Sequence, residues 1–173
     1  MDRFLISVCG PNGSGKSTFS KSVLSTLNLP IVDPDLYSAQ GIGELTAGKL
    51  AIGLINNYLM EGVSFIKEST LTSHFDMMKF REAKERGYKN ILIYLSLPSA
   101  GHSLQRVARR VKAGGHSIPE ETILRRFDKS LKNLQLVKKD MDYCFVINAT
   151  IDYPLQREFQ EMDKLVKDLS HPG

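Results

Sequence analysis

The β-prone run Phe4-Leu5-Ile6-Ser7-Val8-Cys9 leads straight into Gly10-Pro11-Asn12-Gly13-Ser14-Gly15-Lys16-Ser17-Thr18, and a helical pattern follows. Strand, then G-x-x-x-x-G-K-[ST], then helix is the arrangement in which such a loop binds phosphate. Gly10, Gly13 and Gly15 permit backbone conformations closed to other residues. Successive N–H groups along the loop, those of Asn12, Ser14 and Thr18 among them, can then turn toward an anion. A helix opening near Lys16 adds unpaired amides and the positive end of its dipole. Lys16 is expected to reach the β- and γ-phosphates of a nucleotide, and the Ser17 hydroxyl to ligate Mg²⁺. A glycine-rich turn that merely solvates Lys16 does not call for three glycines, a lysine and two hydroxyls in this register.

Helical and strand patterns alternate through the rest of the chain. Phe19, Val23, Leu24 and Leu27 mark one face of a helix stopped by Asn28 and Pro30. Extended Leu29 to Asp33 follows, then a helix carrying Leu50, Ala51, Leu54, Ile55, Tyr58 and Leu59 and ended by Gly62. Val63 to Lys67 predicts a third strand, Phe75 to Arg86 a helix closed by Gly87, and Asn90 to Leu97 a strongly apolar fourth strand. Leu104, Val107, Ala108 and Val111 line a basic helix broken at Gly114-Gly115. Ser117, with Glu120 as its capping-box partner, predicts the next helix start; Ile123, Phe127, Leu131 and Leu134 continue that helix. Tyr143 to Ile147 is a fifth strand, and Pro154 opens a last helix. This alternation predicts an α/β fold. Its sheet is mostly parallel, with about five strands and helices on both faces. One domain is expected over residues 1–173, with 98–139 as a helical lid segment.

Composition narrows the function classes. With 42% hydrophobic and 24% charged residues the chain is an ordinary globular one. It shows no apolar run of membrane-spanning length and no signal peptide, so a cytoplasmic, membrane-free protein is expected. Cys9 and Cys144 sit in apolar strand-like runs and read as small buried hydrophobes. The net charge of +4 is concentrated between Arg106 and Lys139. Cations beside a nucleotide account for it as well as nucleic acid does, and the segment lacks the interleaved aromatics of a nucleic-acid platform.

Phosphoryl transfer to an alcohol needs a carboxylate base and cations on the moving phosphate. Asp33 and Asp35, after the second strand, and Glu68, after the third, are the acidic candidates, because strand C-terminal ends face the ligand crevice in open α/β sheets. The lid supplies Arg106, Arg109, Arg110, Arg125 and Arg126. Arg110, beside the Gly114-Gly115 break, and Arg126, beside an inward-packing Phe127, are the candidates for stabilising γ-phosphate charge. Asp142, Asn148 and Thr150 flank the last strand and form a candidate nucleotide-base corner.

Four stretches carry a family resemblance: GPNGSGKSTFS (Gly10 to Ser20), LPIVDPD (Leu29 to Asp35), GVSFIKESTL (Gly62 to Leu71) and RVARRVKAGGHSIPEETILRRFDKSLKNL (Arg106 to Leu134). The chain resembles the zeta-toxin-like P-loop kinases, in particular their small stand-alone members that bear an ABC-type ATPase label. The resemblance implies a P-loop NTPase fold of the nucleotide-kinase type, with Lys16 and Ser17 on ATP–Mg²⁺. It puts Asp35 at the position of the family's catalytic base, with Glu68 and Thr70 in the segment that holds the acceptor. Zeta toxins phosphorylate a UDP-linked amino sugar and grip it with the arginine of an E-x-T-x-R pattern. Here Glu68-Ser69-Thr70-Leu71-Thr72 puts Thr72 in that arginine's place. The sequence thus supplies no counterpart of that contact, and it gives an antitoxin partner no support. An ABC ATPase also needs an LSGGQ-type signature and four apolar residues followed by Asp-Glu, and the chain has neither. The expected activity is ATP-dependent phosphorylation of a small-molecule hydroxyl, with a sugar nucleotide or amino-sugar conjugate as in the zeta toxins among the candidate acceptors, and with a regulatory ATPase or a kinase of nucleic-acid ends as the alternatives.

Overall fold

The computed structural model describes residues 2–115 and 117–170. Five strands, β1 (Arg3–Cys9), β2 (Ile31–Val32), β3 (Phe65–Ser69), β4 (Tyr88–Ser96) and β5 (Tyr143–Asn148), form one parallel sheet in the order β2-β3-β1-β4-β5. Seven helices among the described residues cover it: α1 (Lys16–Ser22), α2 (Pro34–Ala39), α3 (Glu44–Glu61), α4 (His74–Glu85), α5 (Ala100–Lys112), α6 (Glu120–Val137) and α7 (Arg157–Ser170). Period-two alternation on the strands divides the core. Leu5, Cys9, Phe65, Leu92 and Tyr94 face a cluster completed by Ala51, Ile55 and Leu59 of α3, Phe80 of α4, and Leu134 and Val137 of α6. Ile6, Val8, Ile66, Ile91, Ile93 and Leu95 face the other cluster, with Phe19 of α1 and Met162 and Val166 of α7. Both faces of the sheet are therefore buried, as a parallel sheet requires. None of the helices described is long and apolar enough to cross a membrane.

Register then fixes where chemistry can occur. Cys9 pairs with Ser69 on one side and Tyr94 on the other, so the loop after β1 emerges level with the ends of β3 and β4. β1 is also where the strand order reverses direction, the place where open α/β sheets leave a crevice.

Four local expectations need correction. The first helix stops at Ser22, and a short 3₁₀ turn, Ser25–Leu27, carries the remaining apolar residues. Ser22 Oγ bonds back to the Thr18 carbonyl at 2.7 Å, a contact that bends and weakens helices. Ser117 does not cap α6. The boundary residue is Pro119, with no side-chain cap, because the residue before a proline is held extended and the helix cannot start earlier. Gly114-Gly115 is less a hinge than a cap: Gly114 lies at φ +89°, and the Gly115 N–H donates to the Arg110 carbonyl at 2.9 Å, a Schellman-type end to α5. Asp142 is at the opposite end of β5 from Asn148 and Thr150. Its carboxylate accepts from the Asn90 N–H at 2.7 Å, a strand-start contact far from any base corner. His116, within the distinctive glycine turn, lies outside the described residues.

Candidate active site

The loop after β1 turns through three positive-φ glycines, Gly10 (+145°), Gly13 (+77°) and Gly15 (+89°), before α1 opens at Lys16. A Cβ on Gly10 would stand 2.4 Å from the Leu95 carbonyl oxygen, and one on Gly13 would stand 2.9 Å from Arg106 Cβ. The loop is thus seated against β4 and beneath α5. Ser103 Oγ donates to the Asn12 carbonyl. Arg106 donates to the Gly13 carbonyl at 3.4 Å and to the Ala149 carbonyl at 2.8 Å, spanning the loop and the end of β5. Nothing in the spacing of the five lid arginines singled Arg106 out; only its packing does. Lys16 Nζ donates to the Gly10 and Pro11 carbonyls, each at 3.1 Å. Burial lowers its pKa, and the charges of Asp35 and Glu68 oppose that shift.

Ser17 Oγ stands 3.0 Å from Asp33 Oδ2 and 2.8 Å from Glu68 Oε2. A hydroxyl has one proton to give, and here it faces two buried carboxylates. Burial raises the Glu68 pKa, and the Asp33 charge raises it further, against the hydrogen bond from Ser17 and the charge of Lys16. Glu68 Oε1 is buried with no hydrogen-bond partner among the described residues. Oxygens of this hardness suit Mg²⁺, which takes one or two protein carboxylates and completes its shell with phosphate and water. The residues present fit that ion, with Asp33 and Glu68 joining Ser17, the single ligand expected from the sequence. Glu68 lies within β3 instead of after it.

Asp33 has a second task. Its Oδ1 accepts from the Asp35 N–H at 3.0 Å, capping α2, with Pro34 in the first turn. No helix was expected between Asp33 and the one carrying Leu50, although Asp-Pro-Asp is a legible helix start. Capping leaves Asp35 in the first turn of α2, and its carboxylate has no hydrogen bond or ion pair with the described residues. A cleft of about 240 Å³ brings together Asn12, Lys16, Asp33, Asp35, Glu68, Thr70 and Arg126. A larger one, about 760 Å³, lies between α2 and the α5–α6 turn; Asp35, Arg110, Arg125 and Arg126 are among its lining residues. Asp35 and Arg126 border both clefts, whereas Arg110 borders the larger one alone. Thr70 Oγ1 shares a 2.9 Å hydrogen bond with Thr72 Oγ1.

An uncharacterized protein of Haemophilus influenzae is 32% identical over 133 residues, which is 73% of this chain and 94% of that protein. Among solved structures, the PezAT toxin–antitoxin system of Streptococcus pneumoniae matches with a TM-score of 0.66 at 14% identity, over 98% of this chain and 86% of the other. Shikimate kinase from Bacteroides thetaiotaomicron matches at 0.54 and 17%, over 95% and 98%. AvrRxo1-ORF1:-ORF2, solved with ATP, matches at 0.65 and 17%, over 80% of this chain and 50% of the other. At these identities the likeness shows the fold alone, an α/β nucleotide-kinase fold of the kind seen in shikimate kinase. An AAA domain family model matches residues 5–136, most of the sheet together with the loop and the arginine-bearing helices, and the chain belongs to that family.

Proposed function

We propose that the protein is an ATP-dependent phosphotransferase that moves the γ-phosphoryl group of ATP onto a hydroxyl of a small molecule. The observation that carries this reading is the gathering of the glycine loop with its lysine, a carboxylate with no hydrogen bond among the described residues (Asp35) and a guanidinium (Arg126) around one cleft. The loop amides between Gly10 and Thr18 hold the phosphates, and the Lys16 ammonium leaves the Gly10 and Pro11 carbonyls for the β- and γ-phosphate oxygens. The acceptor lies in the larger cleft, with its hydroxyl at Asp35. Its oxygen bonds to the γ-phosphorus as the bond to the bridging oxygen breaks. ADP takes that electron pair, and the hydroxyl proton passes to Asp35. Ser17, Asp33 and Glu68 would hold Mg²⁺, which supplies positive charge to the phosphate oxygens. Arg126, with Arg110 beside it, neutralises charge developing on the transferred group.

Within this reading the chain is a zeta-toxin-like kinase whose acceptor is held without the gripping arginine of that family, since Thr72 stands in its place. Incubating the protein with ATP–Mg²⁺ and pools of hydroxylated metabolites, then following ³¹P NMR and mass shifts, tests it. An acceptor gaining one phosphoryl group with the native protein and none with Lys16→Ala is the expected result. Bare ATP hydrolysis with every pool would favour a regulatory ATPase.

A further inference from the structure

The residues of β3 and its extension sort by parity. Glu68 and Thr70 border the cleft beside the loop, while Lys67, Ser69 and Leu71 join a polar chain on the α4 side of the strand, with Ser69 also reaching the cleft wall. Lys67, 1% exposed, pairs with Asp76 of α4, itself 4% exposed. The other Asp76 oxygen accepts from Ser69 Oγ at 2.7 Å, and Ser69 Oγ in turn accepts the Leu71 N–H at 2.9 Å. Leu71 is fully buried at φ +58°, a left-handed conformation that a leucine adopts only when its surroundings impose it. Its carbonyl accepts from Asn133 Nδ2 of α6 at 2.8 Å. Both backbone polar groups of this strained residue are therefore held by side chains, one from β3 and one from the helix that carries Arg126.

Asn133 follows Arg126 by seven residues, close to two turns, so the two project from nearly the same side of α6. We propose that Asn133 is a positioning residue. By holding the Leu71 carbonyl it sets α6, and with it Arg126, in register with Glu68 and Thr70, so that the charge-stabilising guanidinium and the acceptor segment are placed as one unit. The Lys67–Asp76–Ser69 chain holds the other end of that unit rigid. A purely structural Asn133 would contribute stability and nothing that depends on Arg126.

The inference rests on the phosphotransferase reading for the role of Arg126, and a double-mutant cycle separates the two. ATP turnover, ATP affinity and backbone hydrogen exchange over residues 120–127 are measured for the native protein, Asn133→Leu, Arg126→Ala and the double variant. Leucine keeps the branched outline of Asn133 and removes the donor at the cost of a somewhat larger side chain, and Asn133→Ala serves if Asn133→Leu does not fold. Turnover is expected to fall about tenfold in Asn133→Leu with ATP affinity nearly unchanged, and by less than about twofold when Arg126 is already alanine. Exchange over 120–127 is expected to quicken in the folded Asn133 variant. Additive losses, or normal turnover in Asn133→Leu beside a depressed Arg126→Ala, overturn the inference and leave the reading standing. Normal turnover in Arg126→Ala overturns the role given to Arg126 and the inference with it.

Discussion

Ser17, Asp33 and Glu68 show what an anionic oxygen site costs before its cation arrives. The burial that raises the Glu68 pKa makes the folded protein hold a proton there that the unfolded chain has released. In the cation-free protein this contribution to stability is complete below the ordinary glutamate range and is lost as pH rises through the raised value. Glu68→Gln should therefore raise the melting temperature of the metal-free protein at neutral pH and flatten that part of the profile. Thermal melts between about pH 4 and 8 in chelator check it; an unchanged slope would show that another group titrates. The same substitution should depress turnover with ATP–Mg²⁺. Asp35 and Asp33 separate by role. Asp35→Asn should cost about a hundredfold or more in turnover with ATP affinity almost unchanged, the low end of what a general base supplies. Steady-state kinetics on both asparagine variants decides this: a mild Asp35→Asn beside a crippled Asp33→Asn would reverse the assignment.

At the scale of elements, the phosphate loop is held by neighbours far away in sequence. Gly10 abuts the Leu95 carbonyl of β4, so Gly10→Ala adds a left-handed alanine and a backbone clash. A loss of about 1–3 kcal/mol in denaturant melts is expected, along with weaker nucleotide binding. α5 and α6 present arginines on different terms. Arg106 is bound to the loop and to Ala149, whereas Arg126 borders both clefts with no hydrogen bond or ion pair to the described residues. Arg106→Ala should thus weaken ATP binding, and Arg126→Ala should depress turnover far more than affinity, because a guanidinium on the transferred phosphate acts on transition-state charge. Isothermal titration with a non-hydrolysable ATP analogue, set beside turnover, tells the two apart.

In the whole molecule, the site lies where three sheet strands end and two helices return over them. Its occupancy should couple to global stability. A nucleotide at a hundred times its dissociation constant adds about 2.7 kcal/mol, read as a rise in melting temperature that Lys16→Ala removes. If residues 98–139 close as a lid, hydrogen exchange across them should slow with an ATP analogue. The core-packed half of α6, with Ser130 bonded to Tyr94 and Asn133 to Leu71, should already be slow without it. How far this architecture can be read from residue order follows the range of the forces involved. Strand periodicity, glycine spacing and the P-loop register are local, and from them alone came the parallel α/β fold, the phosphate cradle and Lys16. Asp-Pro-Asp was equally local, and α2 could have been read from it. The pairing of Ser17 with Asp33 and Glu68, the seating of Arg106 on the loop and on Ala149, and the chain from Lys67 to Asn133 join residues brought together by sheet order and helix packing. Sequence spacing carries no trace of such contacts, because burial and close approach are properties of the folded chain alone.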